Sequence, residues 1–418
     1  MLRSPLVLAG LLVVAASIIL ISGGALHLNA ATNQVSRTQI VFATRQARLD
    51  AAQVIVLYPT ATAPVAPTAT PLPPVYQPIL VPTPMPLATA TATPAYRPAQ
   101  PAIELTGFNH QWQTWNNCGP ATLSMNLSFY GGALTQADIG AVLRRDPDDK
   151  NVSPEELVDF ARGQGFYAQL RVNGNNDLMR LFLSNGIPVI VETWLEPEPN
   201  DGMGHYRMLT GYNDATQQWI GYDSYVSEGL IGNGKPYRGI RMPYNETEEL
   251  WNVFDHTYVL IYPAQKAPIV QAILGETLDD QMMWQTALQQ AQVMVKQTPD
   301  DPFAWFNLGT DLVALKDYAN AAAAYQRAEQ IGLPWRMLWY QFGLFEAYYQ
   351  TGQYQQVINR VDATLKNTNS VEELYYWKGQ ALAALGNTAS AQQALQRSLQ
   401  LNPTYQPAVA ALALVNGQ

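Results

Sequence analysis

The C-terminal third of the chain repeats itself, and a fixed period constrains a fold more tightly than any single motif in this sequence. Residues 302–334 read "PFAWFNLGTDLVALKDYANAAAAYQRAEQIGLP" and residues 371–403 read "VEELYYWKGQALAALGNTASAQQALQRSLQLNP". A looser copy lies near 338–371, with "TGQY" at 351–354, so the copies are spaced by 34 to 36 residues. Trp305, Leu308, Gly309, Tyr318, Ala321, Tyr325 and Ala328 recur at helical spacing in the first copy. Gly379, Gly386, Ala391 and Pro403 fall in register in the last. A period of this length means one helix pair per repeat. Small residues let the paired helices approach, and each pair buries its open face only against a neighbour. The expectation is an all-α solenoid over 268–418. "DDQMMWQTALQQAQVMVKQ" (279–297) reads as the second helix of a degenerate earlier repeat, and "TYQPAVAALALVNG" as a capping helix.

These positions are those of the tetratricopeptide pattern, which the segment resembles. Most of its Trp and Tyr residues read as core. The resemblance implies a concave face able to take a peptide or a partner protein.

The opposite end of the chain has a different character. Residues 5–26, "PLVLAGLLVVAASIILISGGAL", carry no charge, and Arg3 precedes them. About 20 apolar residues suffice to span a hydrocarbon core, so residues 1–30 are expected to form a transmembrane anchor, or a signal segment if cleaved near "LNAA". Residues 59–98 hold 12 prolines and 8 threonines. Proline removes backbone donors and favours extended chain, so 31–102 reads as a Pro/Thr-rich stalk. Such a stalk suits an extracytoplasmic location, with the domains it carries outside the cell membrane.

Between these ends, residues 103–264 are globular and mixed. Helical patterns occupy 118–130, 135–144, 153–163 and 176–185. Strand-like runs follow at 188–194, 205–212, 218–225 and 257–263. Helices first and antiparallel-looking strands second predict an α+β domain. Hydrophobic residues make up 48% of the chain and charged residues 14%, and the net charge is -9. With no basic run, a nucleic-acid partner is not expected.

The chain has one cysteine, Cys118, and four histidines, His27, His110, His205 and His256. One cysteine excludes a disulfide scaffold and a cysteine-rich zinc site, and the histidines lack paired ligand spacing, so no metal and no cofactor is expected. Cys118 opens the "CGPATLSMNLSFYGG" segment. Pro120 fits the first turn of a helix, Leu123, Leu127 and Tyr130 form its buried face, and Gly131 and Gly132 end it. A cysteine there lies where unpaired amides and the helix dipole favour a thiolate. On this evidence alone Cys118 is either a nucleophile or a small buried hydrophobe.

The segment "QTWNNCGPAT" resembles the active-site segment of the papain-like cysteine peptidases related to bacteriocin leader-processing enzymes, cysteine peptidase family 39. "GHYRMLTGYND" and "WIGYDSY" resemble the later motifs of that family, in the same order. The resemblance spans roughly 105–263. It implies that Cys118 is the nucleophile, His205 the base, Asp223 the residue that orients the imidazole, and Gln113 an oxyanion donor. Gln111 is a competing donor, and Asn213 and Asp214 are fallback orienting residues. Ser224 follows Asp223 where the family often has proline. His110 and His256 are expected to lie outside the chemistry.

The expected function is that of a membrane-tethered extracytoplasmic cysteine peptidase, with repeats that recruit a protein partner. Two alternatives remain open: a non-enzymatic peptide-binding scaffold, and an amidase acting on cell-wall peptides.

Overall fold

Seven antiparallel strands form one sheet at the centre of the first domain: β1 (Ala102–Glu104), β2 (Tyr167–Arg171), β3 (Val189–Leu195), β4 (Met203–Asn213), β5 (Gln218–Tyr222), β6 (Ile240–Pro243) and β7 (Tyr258–Tyr262). Their order is β2-β7-β3-β4-β5-β6, with β1 also paired to β4. The computed structural model describes residues 96–417 except 147, 150 and 199. The apolar run at 5–26 and the Pro/Thr-rich stretch at 59–95 lie outside the described residues. Among the described residues, no helix is long and apolar enough to cross a membrane.

Both faces of the sheet are covered, which is why β3 and β7 are buried along their whole length. Successive side chains of a strand point to opposite faces. Ile190, Met208, Val259 and Ile261 therefore pack with α1 (Cys118–Phe129), α2 (Gln136–Leu143) and α3 (Pro154–Gly163). Val189, Val191, Leu209 and Leu260 pack instead with α4 (Asn176–Ser184), α5 (Tyr244–Asn252) and α6 (Ala267–Leu274). Val270 and Leu274 of α6 belong to this second core, so the packing of the first domain continues beyond its last strand. The domain is α+β as read from sequence, but its order is more mixed: β1 precedes α1, β2 lies between α3 and α4, and α5 separates β6 from β7. The helix starts have local causes: Thr135 with Asp138, and Ser153 with Glu156, form capping boxes, and Pro154 follows Ser153.

Helix α1 is buried almost all round, and Gly119 through Leu127 are all inaccessible. That is more burial than the single stripe of Leu123 and Leu127 implies. It is tolerated because the helix's polar side chains bond inward: Thr122 Oγ1 donates to the Tyr206 carbonyl at 3.2 Å and Ser124 Oγ to the Leu134 carbonyl at 2.7 Å.

The helical half contains α7 (Asp280–Gln297), α8 (Pro302–Ala314), α9 (Tyr318–Ile331), α10 (Gly343–Gln350), α11 (Tyr354–Thr364), α12 (Glu372–Ala384), α13 (Thr388–Leu401) and α14 (Gln406–Asn416). The pattern glycines sit where helices cross. A Cβ on Gly309 would lie 2.8 Å from the Tyr325 ring, and one on Gly379 would lie 2.6 Å from Leu395 Cγ.

The looseness of the middle repeat has a structural cause. Its first helix is only 8 residues long, and the residues before it leave the solenoid to lie on the first domain. In that segment Trp335 Nε1 donates to the Asn200 carbonyl at 3.0 Å. Arg336 pairs with Asp201 at 2.5 Å, and Gln341 donates to the Val253 carbonyl at 3.1 Å. Trp194, Val253 and Phe254 of the first domain share one hydrophobic core with Phe306, Leu344 and Phe345 of the repeats.

Candidate active site

Cys118 is the first residue of α1 and is partly exposed. The two asparagines before it build the turn. Asn116 adopts a left-handed φ of 53°, a conformation asparagine tolerates better than most residues. Asn117 is the N-cap residue, yet its side chain does not cap the helix. Its Nδ2 donates to Gln136 Oε1 at 3.0 Å, and its Oδ1 accepts from Arg144 Nη1 at 3.0 Å. The first amides of α1 are thus left without a side-chain acceptor, and the Gly119 N–H is directed at the sulfur.

His205 lies on β4 opposite Thr193 of β3, and Asp223 immediately follows β5. Both are buried. His205 Nε2 donates to Asp223 Oδ1 at 3.0 Å, which leaves the other ring nitrogen for Cys118, its hydrogen-bond partner on the far side. Asp223 is held from four directions. Oδ1 also accepts the backbone N–H groups of Tyr225 and Val226, each at 2.7 Å, and Oδ2 accepts Arg207 Nε at 2.9 Å.

The electrostatics follow from these contacts. Burial pushes the Cys118 thiol up, but the hydrogen bond and charge of His205, with the N–H groups of Tyr206 and Gly119, outweigh it and leave the thiol below its usual range. Burial disfavours the imidazolium of His205, yet the charge and hydrogen bond of Asp223, reinforced by Cys118, raise its pKa to about 9. Burial works against the charge of Asp223 as well. His205 and Arg207 overcome it and hold the carboxyl far below the ordinary carboxylate range. All three shifts favour a thiolate–imidazolium pair backed by a carboxylate.

Gln113 reaches the same place from the loop before α1. Its backbone N–H donates to the Ser224 carbonyl at 2.8 Å, and its Oε1 accepts the Ser224 hydroxyl at 2.9 Å. With the oxygen held, the amide group of Gln113 is the end left free to donate, and it makes no hydrogen bond among the described residues. Ser224, where a proline is common in the resembled family, thus orients Gln113. Gln111 is engaged at both ends: Nε2 donates to Ser124 Oγ at 2.6 Å and Oε1 accepts from the Gln136 N–H at 3.1 Å. Asn213 and Asp214 lie at the far end of β4. Asn213 Oδ1 accepts from the Ala215 N–H at 3.0 Å, and Asp214 Oδ1 accepts from Arg180 Nε at 2.8 Å. His256 bonds Glu248 at 2.8 Å.

Two residues absent from the sequence reading, Arg207 and Tyr237, belong to this arrangement, as does His110, which was expected to lie outside it. Arg207 lies two positions after His205 on β4 and binds Asp223. His110 donates from Nε2 to the Asp223 carbonyl at 2.8 Å. Tyr237 stacks on His110 with ring centroids 3.5 Å apart. Arg207 could have been found from strand alternation, which puts residues 205 and 207 on one side. Nothing in the sequence links His110 to Tyr237. Among the described residues, no group of three or more His, Cys, Asp or Glu side chains could hold a metal ion.

Comparison with known proteins agrees with this architecture. Residues 105–255 match the Peptidase_C39 like family, and residues 283–332 and 372–405 match tetratricopeptide repeat families. The chain carries a C39-like peptidase domain followed by tetratricopeptide repeats. Among solved structures it is similar to a putative C39-like peptidase from Bacillus anthracis, at 13% identity over 38% of this chain and 96% of that one, with a TM-score of 0.32. It is also similar to the peptidase domain of Streptococcus ComA, a bi-functional ABC transporter involved in a quorum-sensing pathway, at 19% identity over 38% of this chain and 99% of that one, with a TM-score of 0.29. The repeats are similar to YrrB, a tetratricopeptide protein with an unusual peptide-binding site, at 14% identity over 32% of this chain and 68% of that one, with a TM-score of 0.28. No curated protein matches the chain.

Proposed function

We propose that the protein is a cysteine peptidase that hydrolyses peptide bonds through Cys118, His205 and Asp223, with Gln113 as oxyanion donor. The observation that carries this reading is the line from the partly exposed Cys118 thiol through the buried His205 to the buried Asp223, with the last step at 3.0 Å. The Cys118 thiolate attacks the scissile carbonyl carbon and forms a thioester. The imidazolium of His205 gives its proton to the leaving amine, and the neutral ring then takes a proton from the water that hydrolyses the thioester. Asp223 fixes the ring's orientation. The Gln113 amide and the Cys118 backbone N–H donate to the oxyanion.

The repeats serve as a surface for a protein partner or for the substrate chain. Residues 5–26 anchor the protein in the cell membrane and the proline-rich stretch holds the domains outside it. Membrane fractionation with protease accessibility in intact cells tests this placement: a soluble or protected protein contradicts it.

The chemical proposal is tested with a peptidyl acyloxymethyl ketone, from which a thiolate displaces the carboxylate to leave a thioether. Intact-mass measurement should show one adduct on Cys118 and its loss in His205→Ala. Equal labelling of the two proteins contradicts the reading.

A further inference from the structure

We infer that Glu192 recognises a cationic group of the substrate beside the scissile bond, with Tyr340 of the repeat domain as the second wall of that subsite. This deepens the peptidase reading and rests on it.

Glu192 lies on β3 directly opposite Tyr206 of β4, one residue before the partner of His205. Directly paired residues of neighbouring strands share a face of the sheet. The Tyr206 ring defines that face: a Cβ on Gly119 would lie 3.4 Å from its Cδ2, and its hydroxyl donates to the Val152 carbonyl at 2.8 Å. Glu192 therefore projects toward the N-terminus of α1, close enough to Cys118 for the two to interact electrostatically. Its side chain is 7% exposed. The carboxylate makes no hydrogen bond or ion pair among the described residues, and its oxygens are not among the sealed polar atoms.

At this depth and without a partner, the ionised form of the carboxyl is disfavoured. Its surroundings add to this. Burial pushes its pKa well above the usual range, and the negative charges of Glu155 and Cys118 push the same way. Arg207, on the paired strand, is committed to Asp223, and Arg336 to Asp201. An incoming ammonium or guanidinium would supply the missing counter-charge and favour the ionised carboxylate that pairs with it.

The second wall comes from the other domain. Gly204, two residues from Tyr206 on the same face, leaves room for a ring, and a Cβ there would lie 3.1 Å from Tyr340 Cδ1. Tyr340 interacts electrostatically with Cys118 and Glu192, and with Arg336, whose charge is paired with Asp201. The face of an aromatic ring is a favourable receptor for a cation. The segment that carries Tyr340 is clamped by the Trp335 and Arg336 contacts described above, so the ring is held in place before substrate arrives.

Lys and Arg side chains and a free α-amino terminus share this chemistry. The test digests two mixed peptide libraries with the full chain, one with free and one with acetylated N-termini, and reads the residues flanking each cut by mass spectrometry. Lys and Arg should be enriched at least fivefold over Leu at one position within two residues of the cut. Enrichment that survives acetylation assigns the cation to a side chain; preferred cutting next to the terminus that acetylation abolishes assigns it to the α-amino group. In Glu192→Gln the preference should fall to about one, and in Tyr340→Leu it should fall by at least half. Both values are ratios within one sample, so partial misfolding does not mimic the effect. Cutting by the wild type with no cationic preference, or a preference kept in Glu192→Gln, overturns the inference and leaves the peptidase reading standing. No cutting by the wild type overturns both.

Discussion

His205 Nε2 lies 3.0 Å from Asp223 Oδ1, and neither side chain is open to solvent. Arg207 holds the other carboxylate oxygen at 2.9 Å, so the carboxylate cannot rotate away from the ring. The ring in turn can face Cys118 with only one nitrogen. An intrinsically mobile pair of side chains becomes a fixed pair because β4 and the end of β5 carry its parts on neighbouring backbones.

The charge state of this site predicts its pH behaviour. The thiol sits below its usual range and His205 titrates at about 9, and both shifts favour the ion pair. Alkylation of Cys118 by iodoacetamide should therefore reach its plateau at a lower pH than that of an unperturbed cysteine. In His205→Ala the rate at pH 7 should fall by about tenfold or more, because the thiol loses its hydrogen bond and counter-charge. The stability linkage has a definite sign. A histidine whose folded pKa is raised stabilises fully below its unfolded pKa of about 6.5 and loses that contribution as pH rises. The stability advantage of wild type over His205→Gln should therefore shrink between about pH 6.5 and about pH 9.

Removing the carboxylate should damage both stability and rate. Asp223→Ala leaves the buried Arg207 guanidinium unpaired, a change that typically costs about 3–5 kcal/mol. It also frees the imidazole to turn, so hydrolysis should fall by roughly 100-fold or more. Urea unfolding and peptide hydrolysis measured on the same variant check both. The sign on the acid side is the opposite of that for His205. A carboxylate held low stabilises above about pH 4 and loses this contribution as pH falls through its folded pKa.

Gln113 and Gln111 should separate cleanly. Losing an oxyanion donor costs on the order of 100- to 1000-fold in kcat, and Gln113→Ala is expected in that range with little change in melting temperature. Gln111→Ala removes the bridge between Ser124 and the start of α2, so its main effect should be on stability. Steady-state kinetics and thermal melts of the two variants make the comparison, and the reverse pattern would exchange their roles.

Much of this arrangement was legible in the sequence because local chemistry wrote it there. The "CGP" turn and the repeat glycines each act within a few residues of themselves. What was not legible depends on distant segments meeting. His110 and Tyr237 stack across 127 positions of sequence, and β2 and β6 are short, polar-spaced strands that form only against β7 and β5. The middle repeat resembled a weak copy of its neighbours. Its departure from the pattern marks the segment that leaves the solenoid to contact the peptidase domain.

The repeat packing can be checked at a single atom. A Cβ at Gly379 would sit 2.6 Å from Leu395 Cγ and 3.3 Å from the Ala391 carbonyl oxygen. Overpacking of this kind costs about 1–3 kcal/mol, so Gly379→Ala should lower the unfolding midpoint. Gly163, at the end of α3, has nothing within 4 Å of its would-be Cβ. Gly163→Ala should be neutral or stabilising by up to about 1 kcal/mol, which makes it the matched control.

The central claim is that Cys118, activated by His205, cleaves peptide bonds. The most direct measurement digests a mixed peptide library with purified full-length protein and with Cys118→Ala, and reads new termini by mass spectrometry. New termini with wild type and none with Cys118→Ala is the predicted result. No cleavage by the wild type, or equal cleavage by both proteins, would contradict the account.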